Sequence, residues 1–381
     1  MDSSHPEGRT GLTRLGLVDF RNYSTLDVTL DRRFVVLAGD NGAGKTNFME
    51  AVSLLTPGRG LRRVNYGEMA RAGGSGGFAV RAWGEGALGE VRLATLVRPE
   101  NGEGAQRSVR VDETQARSAD ELLDHLRILW LTPAMDGLFT GPAGDRRRFL
   151  DRMVLAIDPA HGRRAADYER AMRQRNRLLS EPRPDEVWLD GIETQMAELG
   201  VATVLARAEL VGLLAAMIAE MPDDGPFPKA DLTLEGGYGT AFAATAASDM
   251  EDEARLTLRR ARALDARAGR TLEGPHRADL AVFHRAKAMP AALSSTGEQK
   301  ALLIGLVLAH ARLVRAVGGV APILLLDEIA AHLDPGRRAA LFDIVEGLDV
   351  QSFMTGTDAA LFDALGSRAQ HLTVSNGRVE G

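Results

Sequence analysis

The sequence predicts an α/β fold with a mixed sheet, interrupted by a mainly helical insertion, and three observations carry that expectation. The segment Gly39-Asp40-Asn41-Gly42-Ala43-Gly44-Lys45-Thr46 follows the apolar run Phe34 to Ala38 and opens a helix-like stretch, Asn47 to Leu55. A second apolar run, Ile323 to Leu326, ends in Asp327-Glu328. Between about Arg146 and Arg270 the apolar spacing is helical, while the flanking segments alternate with period two.

The N-terminal elements can be justified in order. Leu15, Leu17 and Phe20, then Leu26, Val28 and Leu30, predict two strands joined by a turn around Asn22. Strand, glycine loop and helix follow, in the pattern G-x-x-x-x-G-K-[ST]. That pattern cradles phosphate, because glycine lets backbone N–H groups turn inward and the helix start adds positive potential. Lys45 would reach the β and γ phosphates. The Thr46 hydroxyl is placed to hold Mg²⁺, and Asn47 completes the motif. Only four of the 46 basic residues are lysine, and one of them is Lys45; where arginine has displaced nearly every lysine, this one is chemically required. Breaks follow at Thr56-Pro57-Gly58-Arg59-Gly60 and at Gly73 to Gly77, then two alternating runs, 78–82 and 91–96, predict an antiparallel pair.

Ile128 to Leu131 reads as a short buried strand, and Gly141-Pro142 marks a boundary. The helical stretch beyond it breaks at Asp158-Pro159, Glu181 to Pro184 and Met221 to Pro228, which gives at least three long amphipathic helices, with a short strand at 232–234. The C-terminal third returns to alternation: strands at 280–283, 323–326, 352–354 and 371–374, helices at 298–317 and 335–348. The expected domains are 1–140, 141–270 and 271–381, the first and last forming one core. No heptad is sustained and no repeat is visible.

Bulk properties narrow the class. At 381 residues the chain can bury one large or two ordinary cores. Absence of cysteine excludes disulfides and thiolate zinc sites. No run of eighteen apolar residues occurs and Met1 to Thr10 is polar, so a short disordered tail and a soluble, cytoplasmic, non-membrane protein are expected. The net charge of −6 gives no support for nucleic-acid binding by itself. Arginine clusters at 59–63, 146–152, 170–177 and 255–270 are each either solvated helix faces or phosphate contacts.

The run ending in Asp327-Glu328 has the form of a Walker B element, with Asp327 completing a Mg²⁺ shell and Glu328 as general base toward the water attacking the γ phosphate. An apolar strand ending in two acids is commonly structural; the glycine loop gives this one its chemistry. Ser294 to Lys300 opens a helix, where Ser, Thr and Gly can be simple capping. In ATPases of the ABC class a Ser-x-Gly-Glu/Gln helix start contacts the γ phosphate bound on a partner subunit, which singles out Ser295, Gly297 and Glu298. Ala331-His332-Leu333-Asp334 has the place of the D-loop that crosses such a dimer interface. Loop and signature lie about 250 residues apart, so each nucleotide is expected between two chains.

With these elements in order, the sequence resembles the RecF family of bacterial recombination mediators, in the SMC/Rad50-like branch of ABC ATPases. The resemblance covers nearly the whole chain. It rests on Phe20-Arg21-Asn22-Tyr23, the loop with Glu50-Ala51, Gly58-Arg59-Gly60-Leu61-Arg62, Arg147 to Asp151, Gly274-Pro275-His276-Arg277 with Asp279-Leu280, and Ser295 to Lys300. It implies a P-loop ABC-type ATPase head that binds ATP and Mg²⁺, dimerises on DNA and acts at single-stranded, gapped or junction DNA. Partners RecR and RecO, assistance to RecA loading and support of the SOS response are implied likewise. Ser294 replaces the signature leucine and Thr296 a glycine. Thr132-Pro133 stands where a Q-loop glutamine is usual, and Thr355-Gly356-Thr357 where transporters carry a switch histidine. A weak, DNA-stimulated ATPase acting as a switch is therefore expected. A transporter subunit would carry that histidine; an SMC-like chromosome-associated ATPase would need a long coiled coil and a hinge. A nucleotide-gated scaffold without turnover is the non-enzymatic alternative, against which Glu328 argues.

Overall fold

The computed structural model describes residues 10–31, 33–99, 105–238 and 246–381; the N-terminal tail expected up to Thr10 lies almost entirely outside them. In chain order the elements are β1 (Gly11–Phe20), β2 (Tyr23–Thr29), β3 (Phe34–Ala38), α1 (Lys45–Ser53), α2 (Tyr66–Met69), β4 (Phe78–Gly86), β5 (Gly89–Pro99), β6 (Ala105–Val111), β7 (Thr114–Gln115) and β8 (Ile128–Leu131). Four helices follow, α3 (Ala143–Leu155), α4 (His161–Leu179), α5 (Glu186–Ala219) and, after β9 (Ala230–Glu235), α6 (Ala247–Ala268). The chain then runs through β10 (Asp279–His284), β11 (Met289–Pro290), α7 (Thr296–Gly318), β12 (Ile323–Leu326), α8 (Pro335–Gly347), β13 (Ser352–Gly356), β14 (Ala369–Ser375) and β15 (Arg378–Glu380).

Two compact units result. The first comprises Met1–Asp136, Asp224–Phe227 and Leu303–Gly381. It contains two six-stranded sheets: an antiparallel one ordered β2-β1-β4-β5-β6-β7, and a mixed one ordered β15-β14-β3-β13-β12-β8. β3 and β12 carry continuous apolar runs and β13 is buried throughout, because strands in parallel pairing are covered on both faces, whereas β14 alternates buried with more exposed residues. Helix α1 contributes Phe48, Met49, Ala51 and Val52 to one core shared with Leu15, Leu17, Phe20, Val80 and Leu93 of the antiparallel sheet and Val35, Leu37, Leu325 and Phe353 of the mixed sheet. Buried Gln351 ties the sheets together, accepting from Leu12 N–H at 2.7 Å and donating to the carbonyls of Leu12 and Asp31.

The second unit, Gly137–Asp223 with Pro228–Leu302, holds α3 to α6 and a three-stranded sheet ordered β11-β10-β9. β10, expected to belong with the C-terminal part of the core, pairs antiparallel with β9 instead. The segment up to Leu302, including the start of α7, groups with this unit, so the division falls near residue 302 where the sequence placed it at 270. The reason is physical: β10 alternates buried and half-buried residues, as an antiparallel strand with one covered face does. Helices α5 and α7 are long and apolar enough in composition to cross a membrane. Yet α5 packs against α4, α6 and β9, and α7 is mostly buried.

Candidate nucleotide site

The loop between β3 and α1 is built as the glycines require. At Gly44 φ is +124°, and a Cβ there would lie 2.6 Å from Asn22 Nδ2 and 2.9 Å from the Tyr23 hydroxyl. Those two side chains hold the loop from beneath: Asn22 donates to Ala43 O at 2.9 Å and Tyr23 to Gly44 O at 3.0 Å. Asn47 donates in turn to Asn22 Oδ1 at 2.7 Å. Lys45 is buried, its ammonium donating to Gly39 O at 2.6 Å and Asp40 O at 2.9 Å. Both acceptors are neutral carbonyls, and no carboxylate among the described residues pairs with it. Asn41 and Gly42 stand exposed at the tip, and Ala43 N–H returns to Asp40 O.

Residues 281 positions apart in the chain meet beside this loop. The Thr46 hydroxyl donates to Asp327 Oδ1 at 3.2 Å, and the Thr355 hydroxyl at the end of β13 donates to the same oxygen at 2.7 Å. Burial, with Glu328 adjacent, pushes the Asp327 carboxyl above its usual value, although both hydroxyls oppose the shift. Glu328 is half-buried with φ +55°, a rare conformation for a residue with a Cβ, and its N–H donates to Thr355 Oγ1 at 2.8 Å. One hydroxyl and one carboxylate are hard oxygen donors of the kind Mg²⁺ accepts beside phosphate and water, so the residues fit that ion.

A second layer lies under α1. Glu50 is fully buried and receives Arg21 in bidentate fashion at 2.7 and 2.9 Å and Arg62 at 3.0 Å. Arg21 itself has φ +53° at the turn after β1. Thus the Arg21-Asn22-Tyr23 triplet, Glu50 and Arg62, quoted above only as family features, form one scaffold behind the loop. The spacing of these residues gives no local signal for it, because three distant segments contribute.

The other expected site residues make local contacts. Ser295 and Glu298 form a reciprocal cap at the start of α7: Ser295 N–H donates to Glu298 Oε2 at 3.1 Å, and Glu298 N–H to Ser295 Oγ at 3.4 Å. Lys287, then Ser295, hold the Glu298 carboxyl down to about 2. A Cβ at Gly297 would meet only open space. Asp334 caps α8, its carboxylate accepting from Arg337 N–H at 2.9 Å.

Most of the arginines singled out by charge have internal partners. Arg59 donates to Asn65, and Arg146 makes two bonds to Asp279. Arg175, fully buried, bonds Glu193, Asp265, Thr271 Oγ1 and Leu258 O at 2.6–3.0 Å. Arg262 joins Glu193, Asp190 and Glu186. The Gly-Pro-His-Arg element is likewise knitted in. His276 lies between the Tyr168 hydroxyl (3.1 Å) and Thr271 O (3.0 Å), while Arg207 donates to Pro275 O and to both oxygens of Asp151. Gly274, φ +132°, passes so close to Tyr168 that a Cβ would lie 2.2 Å from its hydroxyl. By contrast Arg81, Arg98 and Arg110 are exposed on the outer face of the antiparallel sheet, without hydrogen-bond or ion-pair partners among the described side chains. Sequence reasoning overlooked them because they are dispersed along alternating strands.

A P-loop backed by Walker B acids on a mixed sheet, with an antiparallel sheet beside it and a signature-like helix start, defines the nucleotide-binding head class. The sequence matches the family described as RecF/RecN/SMC N terminal domain over residues 11–378. The DNA replication and repair protein RecF of Rhizobium etli is 60% identical over 98% of this chain and 99% of its own length. That of Brucella abortus is 59% identical over 98% and 97%. Among solved structures, RecF with ATP aligns at a TM-score of 0.86 and 22% identity over 100% of this chain and 99% of the other. An Smc head from Pyrococcus furiosus aligns at 0.53 and 15% identity, over 97% and 95%. The chain belongs to the RecF family.

Proposed function

We propose that this chain binds ATP with Mg²⁺ at the loop carrying Lys45, hydrolyses it slowly, and closes as an ATP-dependent homodimer on DNA during recombinational repair and replication-gap processing. The observation that supports the nucleotide reading best is the convergence of Thr46, Asp327 and Thr355 beside the buried Lys45 ammonium. Relatives about 60% identical over nearly their whole length carry the name DNA replication and repair protein, which supports the setting. Gly39 to Asn47 cradle the phosphates; Thr46 and Asp327 hold the metal, whose charge offsets that of the phosphates. Glu328 takes the proton of the attacking water as the bond from γ phosphorus to the bridging oxygen breaks, giving ADP and phosphate. Ser295, Gly297, Glu298 and Asp334 act from the partner copy in the closed dimer. RecR and RecO are the pathway partners, RecA loading and the SOS response the outcomes, and the cytoplasm the compartment.

For DNA contact we assign the outer face of the antiparallel sheet. Arg81 on β4 and Arg110 on β6 flank Ala94 of β5 in one cross-strand row, about 10 Å apart at two strand spacings. A small residue between two guanidinium groups that have no partner among the described side chains suits a sugar–phosphate backbone, whose contacts are electrostatic and sequence-independent. The testing experiment is sedimentation of the purified protein with Mg²⁺-ATP and gapped DNA, against ADP and against no nucleotide, alongside an R81E/R110E variant. ATP-specific dimers retained on DNA, with the variant dimerising but released at lower salt, are the expected result. A monomer indifferent to nucleotide would overturn the two-chain mechanism, and a variant retained like the parent would overturn the assigned face.

A further inference from the structure

We propose that Thr355 is the positioning residue of the nucleotide site, one hydroxyl that sets both acids; this rests on the hydrolytic reading above. Thr355 is fully buried in β13, directly opposite Leu37 of β3, while the neighbouring pair Met354–Leu326 joins β13 to β12. It therefore sits between the strand that feeds the glycine loop and the strand that ends in Asp327. A hydroxyl has one proton to donate and two lone pairs to accept with. The Glu328 N–H can only donate, so Thr355 Oγ1 accepts from it at 2.8 Å and gives its own proton to Asp327 Oδ1 at 2.7 Å.

Both consequences follow from that direction. The Asp327 carboxylate is fixed by a donor anchored in a sheet strand, with Thr46 on the same oxygen. The amide bond also stabilises the left-handed backbone of Glu328, φ +55°, which decides where its side chain begins. Transporter ATPases place a histidine at this strand end; here a shorter group turns inward toward the acids. The residue acts through Asp327 and Glu328 and has no contact with substrate to make.

The test compares Thr355→Val, which keeps the shape and strand preference but removes the hydroxyl, with Thr355→Ser, which keeps the hydroxyl. Steady-state ATP hydrolysis should lose ten- to a hundredfold in kcat in T355V with KM changed less than threefold, and T355S should recover most of it. Independently of turnover, a fluorescent ADP analogue should bind T355V and the parent equally in EDTA. The gain in affinity on adding Mg²⁺ should shrink in T355V and return in T355S. Parental kcat and Mg²⁺ gain in T355V would overturn the proposal. So would loss of EDTA-state binding together with a lowered Tm in T355V that T355S does not rescue, since that marks a role in folding. A parent protein without hydrolysis would instead defeat the ATPase reading, while the Mg²⁺-linked binding still judges Thr355.

Discussion

In the helical unit Arg175 lies fully out of water with four hydrogen bonds, whereas on the outer sheet of the nucleotide unit Arg81, Arg98 and Arg110 face solvent with no side-chain partner among the described residues. In the sequence Arg175 stands in a cluster and the other three are dispersed, so clustering points to the wrong group. The difference teaches that arginine in this chain does two jobs: it is an internal strut where helices carry acids on facing sides, and an exposed cation where its strand neighbours, Ala94, Gln106 and Gln115, carry no charge. Glu193 shows the first case, accepting from Arg175 and Arg262. A buried guanidinium is tolerated only when every polar edge is answered.

The sharpest way to separate the two units is to damage each without touching the other's task. Glu328→Gln should lower the hydrolysis rate by roughly 10²–10⁴-fold, the range for loss of a general base, with the melting temperature unchanged. Single-turnover phosphate release measures it, and an unchanged rate would refute Glu328 as the base. Arg175→Ala should do the reverse. Asp265 would be left buried without its cation and Glu193 with Arg262 alone, and a broken buried pair costs about 3–5 kcal/mol. Urea unfolding reads the loss, and nucleotide affinity of the folded fraction should stay at the parental level. A variant that binds nucleotide poorly while still folded would break the separation.

How legible these regions were follows from the same contrast. The loop, its strand and the Asp327-Glu328 strand could be read because each needs particular residue types at fixed spacing, and β3, β8 and β12 fall where the apolar runs end. β6, β7 and α2 were not anticipated. β6 alternates Arg107 and Arg110 with few apolar residues, because Arg107 turns inward to cap the carbonyls of Leu54, Thr56 and Gly58. The helix breaks at 158–159, 181–184 and 221–228 were legible from proline. What could not be read is which distant partner each polar residue meets: Asn22 with Ala43, Arg21 with Glu50, Thr355 with Asp327. Such pairings are set by topology, and a single sequence carries no periodicity for them.

Acid should weaken the helical unit earlier than the nucleotide loop. Burial, with Arg277 and Arg147 nearby, holds the His276 imidazole below its ordinary 6.5 despite the bond to Thr271 O. The unfolded chain therefore takes up that proton first. The stabilising contribution is complete above pH 6.5 and is lost progressively below it. Denaturation midpoints between about pH 8 and pH 5 should fall across that window in the parent and fall less in His276→Gln. Asp151 does not confuse the reading. Burial pushes it up, but His161 and Arg207 bring it below its usual 3.8, outside the range. Equal slopes in both proteins would show that another group carries the dependence.

The smallest expected effect probes the residue with two candidate roles. Asp334 caps α8 with a carboxylate oxygen on the Arg337 N–H, and it was singled out as the acid that crosses a dimer interface. Asp334→Ala removes both functions and should cost about 1 kcal/mol through the cap alone. Asp334→Asn keeps an oxygen acceptor of equal capping strength and removes the charge, so its melting temperature should stay near the parent's. If ATP-dependent dimers fail in the asparagine variant at unchanged stability, the charge itself acts across the interface. If they persist there and weaken only with alanine, in step with the lost stability, Asp334 acts by holding the helix start, and the interface depends on the backbone of the 331–334 turn.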